Sequence, residues 1–347
     1  MKENRALTQS FVTGGLGFVG RHLAERLAQR GDDVEVGDIH AQPTGEVAGS
    51  YVQADVTNLD SLRAALAGKD VVFHVASLVQ TKQANAETVW AVNLSGTQNV
   101  IEVCRELGVK RLVYVSSASV VYEGRNIENG DETLPYASSS QAPYADSKIA
   151  AEKAVLEAHT PDGLRTCAIR PHVVFGPGDG RFLPALIERA QSGRLKYGVG
   201  RGCKISDFTY IDNLIDALVA AEERLVDNGS LGGQAFFVTN GEPMGFWDFV
   251  DKVLVEMNQP MTRGRIPYSI AYAAAMVAEG VDAILGKPAG PENGLTRFAI
   301  RYMCTHHYFS IDKARRELGY EPAVTIDEGI ARTIEHLRSV GAIDTHA

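Results

Sequence analysis

The sequence of 347 residues contains only four cysteines, Cys104, Cys167, Cys203 and Cys304, and no two of them form a CxxC pair. That spacing argues against a disulfide framework or a zinc site, and makes a reducing compartment, the cytoplasm, the expectation. Positive charge is also short: 34 Lys and Arg stand against 43 Asp and Glu, a formal net charge of −9. Nucleic acid is thereby a poor partner, because phosphate binding needs a basic surface. No apolar run reaches the about 20 residues that cross a bilayer. The nearest, 266–278, is cut off by Glu279 and Asp282. The N-terminus shows no basic-then-apolar signal region before a strand-like stretch at Phe11. Internal repeats and low-complexity tracts are also absent.

What is present is an ordinary globular composition, 45% hydrophobic and 22% charged, with 34 glycines. The first half alternates strand and helix patterns. Strands are expected over 10–13, 34–38, 51–54, 71–75, 112–115 and 166–169. Helices are expected over 16–30, stopped by Gly31, and over 59–66, 88–107 and 145–158. This alternation implies a parallel sheet covered on both faces, with ligand at the carboxyl ends of its strands. The fold expected is α/β, a Rossmann-type doubly wound sheet with a smaller, interleaved C-terminal substrate-capping lobe. Residues 1–178 would form the dinucleotide-binding domain, with the chain returning to it at about 203–240. Residues 179–202 and 241–347 would form the lobe, which reads as less regular apart from helical stretches at 182–192 and 268–285.

The segment FVTGGLGFVG places Gly14, Gly17 and Gly20 between one strand and one helix. Gly14 permits a tight turn, Gly17 lets backbone approach a pyrophosphate, and Gly20 allows close helix packing. Phe18 and Val19 open that helix, whose N–H groups and partial positive charge suit phosphates. Asp38 ends the second strand, where a carboxylate can bond both ribose hydroxyls of NAD and repel the extra phosphate of NADP. Ile39 and His40 follow it, not an arginine, so NAD is expected over NADP. The bland alternative for Asp38 is an ordinary strand-end residue. Asp55 and Val56 fall beside the adenine position, and Ala76 is small where the cofactor must pass.

Tyr144 and Lys148 are four apart in PYADSKIAAEKAV, so one helix face carries both. Such a pair by itself is usually a solvated face. Here it follows the serine-rich strand end VSSAS within one strand–loop–helix unit, downstream of a dinucleotide site. Removing hydride from a secondary alcohol also requires removing its proton. A free tyrosine, with a pKa of about 10, needs help to be that base. A neighbouring ammonium supplies it, and Lys148 can also bond the nicotinamide ribose. A serine would hold the substrate oxygen: Ser117 first, with Ser116 and Ser119 as alternatives. Asn93, in VNLSGT, either helps position the cofactor or bonds helix backbone.

Together these residues resemble the extended short-chain dehydrogenase/reductase family. Within it the chain is most similar to the 3β-hydroxysteroid dehydrogenase group, and to its sterol-4α-carboxylate 3-dehydrogenase (decarboxylating) branch. TGGLGFVG, Asp38, the Asn93 segment, SSAS and YADSK match in order. SSASVVYEGRNIENGDETLPY, AIRPHVVFGPGD, SLGGQAFFVTNGEPMGFWDF and IPYSIAY carry the narrower likeness. The resemblance implies Tyr144 as general base, Lys148 as its partner and Ser117 as the orienting hydroxyl. It also implies Pro171 and Val173, in RPHVV, against the nicotinamide, and a homodimer through the helices of Asn93 and Tyr144. Eukaryotic members carry a longer apolar segment that ties them to membranes; here Glu279 and Asp282 interrupt the corresponding stretch.

The reaction implied is NAD-dependent oxidation of the 3β-hydroxyl of a sterol carboxylated at carbon 4. The resulting β-keto acid loses CO2 without a metal or second cofactor. His172, Arg201 and Lys204 are candidates to bind the carboxylate, each with a bland reading as a backbone-bonded or solvated group. Tyr268, Tyr272, Met276 and Leu285 would wall an apolar pocket. Their stretch reads as a buried helix, a greasy lid or a peripheral contact with a membrane. Three rivals share parts of the pattern. A plain 3β-hydroxysteroid dehydrogenase/isomerase or related lipid alcohol dehydrogenase shares every catalytic residue. A nucleotide-sugar epimerase or dehydratase would need a polar pocket. A non-catalytic NAD-binding regulator would have no need of both Tyr144 and Lys148.

Overall fold

The computed structural model describes residues 7–43, 45–79, 86–138, 142–200, 202–227, 231–284 and 296–343. Seven strands form one parallel sheet. They are β1 (Gln9–Thr13), β2 (Asp33–Asp38), β3 (Ser50–Gln53), β4 (Val71–His74), β5 (Arg111–Val115), β6 (Arg165–Pro171) and β7 (Gln234–Val238). Their spatial order is β7-β6-β5-β4-β1-β2-β3. The chain steps outward from β1 to β3, then returns to build the other half from β4. The order therefore reverses between β1 and β4, where Thr13 pairs with His74. The crevice at that reversal is the natural ligand site of such a sheet.

The strands are apolar on both sides because both sides are covered. Phe11 and Val12, adjacent in β1, enter separate cores. Val12 packs with Leu23 and Leu27 of α1 (Phe18–Arg30). Phe11 packs with Leu62 and Leu66 of α2 (Leu59–Leu66). The helix expected over 88–107 is three pieces: α3 (Ala86–Trp90), a π-helical turn over Ala91–Ser95, and α4 (Gly96–Glu106). One wide turn is a common device near functional sites, and this one holds Asn93 at 1% exposure. Beside α4 on the same face lies α5 (Pro143–Glu157), which starts with proline at its first position.

The chain beyond 179 is more regular than its sequence suggested. After α6 (Phe182–Gln191), α7 (Ile211–Asp227) buries Ile211, Leu214, Ile215 and Leu218 in the α1 core, and β7 extends the sheet. Then come α8 (Phe246–Glu256), α9 (Tyr268–Ile284), α10 (Arg297–Met303) and α11 (Ile326–Ser339). A small four-stranded sheet gathers Met244–Gly245, Ile205–Ser206, His307–Phe309 and Ile127–Gly130 from distant parts of the chain.

The reading of α9 as a buried helix is corrected. It buries Ala271 and Ala275, while Ile270 is 60% and Val277 64% exposed. Met276 and Val281 are exposed with them. Among the described residues no helix is long and apolar enough to cross a membrane. Leu285, expected in the same wall, lies outside the described residues.

Candidate active site

The glycine loop closes on the crevice with no room to spare. Gly14 has φ of 65°, and a Cβ there would stand 2.8 Å from the Ala76 Cα. A Cβ on Gly20 would lie 2.3 Å from the Gly14 carbonyl oxygen. Gly17 donates to that same carbonyl at 3.0 Å and caps α1. Gly15, which the spacing argument passed over, is the tightest: its Cβ would fall 1.9 Å from Val36 Cγ1. The loop thus presents bare backbone at a helix N-terminus, the arrangement that suits a pyrophosphate. Asp38 closes its far side. Its Oδ2 accepts from the Leu16 N–H at 3.2 Å, and its Oδ1 meets the Ile39 N–H and the His40 Nδ1, each at 2.8 Å.

Beyond β3, the Asp55 Oδ1 accepts from the N–H and the hydroxyl of Thr57. Val56 is buried, and its carbonyl accepts from Asn99 Nδ2 at 3.0 Å. Gly96 is glycine for its sake, since a Cβ would come within 2.7 Å of Val56 Cγ2.

Tyr144 enters from the first turn of α5, and Ser117 from the end of β5. Of the three serines it is Ser117 that bonds the Tyr144 side chain. Ser119 settles the direction. Its N–H and its hydroxyl both donate to Ser117 Oγ, at 3.1 and 2.9 Å, leaving the Ser117 proton to point at the Tyr144 oxygen. Ser116 is buried instead, its hydroxyl without a partner among the described residues. Burial raises the Tyr144 pKa above its usual value, while the Ser117 bond and the charge of Arg181 pull it down. Arg181 carried no signal in the sequence; its Nη1 donates to the Val79 carbonyl at 2.6 Å.

Lys148 lies one turn further along α5, buried. Its Nζ donates to the Val115 carbonyl at 2.7 Å and sits 4.5 Å over the Tyr114 ring. Burial pushes its pKa down to about 7, against the pull of Glu152.

Asn93 spends its whole amide on protein. Its Oδ1 accepts from the Leu78 N–H at 2.7 Å and from Ser77 Oγ at 3.2 Å. Its Nδ2 donates to the Leu78 carbonyl at 3.1 Å and to Ser147 Oγ at 3.0 Å. It clamps the loop after β4 onto the helix that carries Tyr144. Behind it runs a relay that sequence reasoning missed. Thr13 Oγ1 accepts from the N–H groups of Val75 and Ala76, so its own proton goes to His74 Nδ1 at 2.8 Å. His74 Nε2 then carries the hydrogen and donates to Thr97 Oγ1 at 2.9 Å, and Thr97 donates to the Asn93 carbonyl at 2.6 Å. Burial, with the charge of Lys148, holds His74 neutral, its pKa pushed down to about 3.

Pro171 ends β6. Val173 stands at φ of 38°, a costly conformation for a β-branched residue and the kind of strain that collects at ligand sites. The side chain of His172, between them, is committed elsewhere: its Nε2 is 2.7 Å from His307 Nδ1. Lys204 lines a cavity of about 580 Å³ with Tyr268, Arg301, Cys304 and Thr305. Arg301 is a second cation there that sequence reasoning missed. Arg201 lies outside the described residues.

The model of the 3-beta hydroxysteroid dehydrogenase/isomerase family matches residues 11–267. A sterol-4-alpha-carboxylate 3-dehydrogenase, decarboxylating, from Mus musculus is 40% identical over 331 residues, 94% of this chain and 91% of that protein. A 2-alkyl-3-oxoalkanoate reductase from Stenotrophomonas maltophilia (strain K279a) is 37% identical, over 92% of this chain and 97% of that protein. Among solved structures, MoeE5 in complex with UDP-glucose and NAD superposes with a TM-score of 0.73 at 24% identity, over 96% of this chain and 99% of that one. At that identity the likeness is one of fold.

Proposed function

The chain belongs to the 3-beta hydroxysteroid dehydrogenase/isomerase family, and from that premise we propose that it oxidises the 3β-hydroxyl of a sterol carboxylated at carbon 4, with NAD as acceptor and loss of the carboxylate as CO2. The observation that carries the substrate is the 40% identity, over nearly the whole chain, to a protein of that name. Gly14, Gly17 and Gly20, with Phe18 and Val19 at the start of α1, would hold the pyrophosphate of NAD. Asp38 would hold its adenosine ribose, and this carboxylate favours NAD over NADP. Asp55, Val56 and Ala76 would line the adenine side, and Lys148, Pro171 and Val173 the nicotinamide side, with Asn93 positioning the cofactor site from behind through Leu78 and Ser147. When bound, NAD accepts the hydride from the carbinol carbon.

Tyr144 takes the proton of the substrate hydroxyl. Ser117 aims its proton at the same oxygen region, so it orients the alcohol and favours the phenolate. Lys148 adds positive charge behind Tyr144 and a donor for ribose. The product of oxidation is a β-keto acid, and its new ketone accepts the electron pair released when CO2 leaves. Tyr144, now protonated, and Ser117 steady the enolate oxygen. Lys204 and Arg301 are the cations offered for the carboxylate. The lobe of 179–202 and 241–347 is assigned the sterol. The apolar face of α9 is assigned peripheral contact with lipid, and the α4 and α5 surfaces a homodimer contact.

A second reading is favoured by the reductase relative, whose named substrate is also a β-keto acid substituted at the central carbon. One experiment separates the two. Purified protein is given NAD and a 4α-carboxysterol, beside a matched sterol without the carboxylate and a 2-alkyl-3-hydroxyalkanoate. NADH with a decarboxylated 3-ketone from the carboxysterol supports the proposal. NADH from the plain sterol alone assigns a 3β-hydroxysteroid dehydrogenase, and from the alkanoate alone the second reading.

A further inference from the structure

From Val174 to Arg181 the chain leaves the end of β6 and reaches α6. Both ends of this stretch are fixed. At the first, Val174–Phe175 pairs with Thr209–Tyr210, and a Cβ on Gly176 would fall 2.4 Å from Ile211 Cγ2. At the second, Asp179 holds the start of α6. Its Oδ1 accepts from the N–H groups of Arg181 and Phe182, at 2.8 and 3.2 Å, and its Oδ2 from the Leu183 N–H at 2.9 Å. Phe182 then sets its ring among Phe208, Phe246 and Phe249.

Between these anchors, residues 177–181 touch both banks of the dinucleotide crevice. One bank is α1, whose N-terminus faces the pyrophosphate position. His22 Nε2 lies 2.8 Å from the Pro177 carbonyl, which can only accept, so this nitrogen carries the hydrogen and donates it. The His22 ring stands edge-on to Phe18, with centroids 5.6 Å apart. A Cβ on Gly178 would lie 3.9 Å from an atom of each. The other bank is the stretch after β4. There Arg181 Nη1 donates to the Val79 carbonyl at 2.6 Å, next to Leu78, whose N–H and carbonyl are held by Asn93. The segment therefore runs from the helix that follows β1 to the loop that follows β4. Those are the two strands between which the order of the sheet reverses.

We propose that residues 177–181 form a strap across the cofactor crevice, which opens to let NAD in and NADH out. The proposal rests on the NAD site described above and not on which alcohol is oxidised. Oxidation turns NAD into NADH, which leaves before the next NAD binds, so the strap opens once in each turnover. Its bend is at Gly178, exposed and at φ of 81°, where any residue with a Cβ is strained. A hydrogen bond to a carbonyl fastens it at each bank, and such bonds form and break without disturbing the core.

A strap differs from a cofactor contact in its kinetics. Entry and exit pass through the same open state, so weakening the strap speeds both and leaves Kd nearly unchanged. Losing a contact to the cofactor speeds release alone and weakens Kd.

The test follows NADH fluorescence by stopped flow, with no alcohol present. Mixing gives kon, and displacement by excess NAD gives koff. His22→Leu removes the donor at one bank. Gly178→Ala adds a methyl group that clashes with nothing and strains only the closed backbone. Each is expected to raise kon and koff together by about three- to tenfold, with Kd within about twofold of wild type. Gly180→Ala, where a methyl group meets nothing within 4 Å, is expected to match wild type. Faster release with unchanged kon would make these residues cofactor contacts and overturns the strap. Wild-type rates in Gly178→Ala overturn it too, and that variant decides alone where His22→Leu does not fold. The same acceleration in Gly180→Ala also overturns it. No fluorescence change when wild type meets NADH overturns it together with the NAD site.

Discussion

Asn93 holds Tyr144 through a single hydroxyl: its Nδ2 donates to Ser147 Oγ at 3.0 Å, and Ser147 Oγ donates to the Tyr144 carbonyl at 2.8 Å. Through Thr97 and His74 the same chain reaches Thr13, the residue before Gly14. The glycine loop and the helix of Tyr144 are thus tied by buried polar contacts that leave no proton undecided. His74→Phe removes the acceptor of Thr13 and the donor to Thr97 at once, and each stranded group costs about 1–3 kcal/mol. Urea unfolding is expected to show a loss of at least about 2 kcal/mol, while Thr97→Ser, which keeps its hydroxyl, unfolds close to wild type. A His74→Phe protein as stable as wild type would show that the relay contributes nothing.

Tyr144→Phe keeps the ring and deletes the base. NADH formation is expected to fall by about 10²–10⁴-fold with little change in NAD affinity. Ser117→Ala removes the proton aimed at the Tyr144 oxygen, and is expected to lower kcat by about 10–100-fold. It should also move the rise of activity with pH to higher pH, since the Ser117 bond is what pulls the Tyr144 pKa down. An unchanged pH profile in Ser117→Ala would remove Ser117 from this role.

The glycines separate space from spacing. Gly15→Ala would drive a methyl group into Val36, so both stability and NAD affinity are expected to fall, by about tenfold or more in Kd. Gly280→Ala in α9 meets nothing within 4 Å and is expected to be neutral or to stabilise by up to about 1 kcal/mol. Differential scanning calorimetry and NAD titration check both; equal behaviour of the two variants would refute the steric account.

The half of the fold around β1 to β6 was legible because buried parallel strands and capped helices leave local signals. Val34 and Val36 alternate with polar residues, and Gly31 ends α1 with φ of 95°. Gly14, Gly20, Tyr144 and Lys148 were legible for the same reason, since fixed chemistry at fixed spacing needs no tertiary information. Gly15 was not, because its requirement comes from Val36 across the strand pair. His74 reads as one more residue of an apolar strand, and only the approach of Thr13 and Thr97 makes it a relay. Tyr302 and His172 stand 130 positions apart and meet beside His307, a residue of the small sheet that stacks on one and bonds the other. The apolar stretch of α9 misled in the other direction, because hydrophobicity alone does not say which side of a helix is covered.

Lys148 makes the cofactor reading testable by proton counting. In the protein alone, burial pushes its pKa down to about 7. At pH 8 it is therefore mostly neutral, and at pH 6 mostly charged. NAD brings a negative pyrophosphate and ribose oxygens that need donors, so the bound state favours the ammonium and raises this pKa. By linkage, binding must then take up a proton wherever the free amine is neutral and the bound one charged. For a bound pKa above about 9 the uptake approaches about 0.9 proton at pH 8 and about 0.1 at pH 6. Titration calorimetry in buffers of different ionisation enthalpy reads this number directly. Lys148→Met has no proton to gain and is expected to lose the buffer dependence while keeping the fold, since a buried methionine carries no desolvation cost. Buffer-independent heats for wild type at pH 8 would mean that Lys148 does not change its charge when NAD binds, and would place it outside the cofactor contacts.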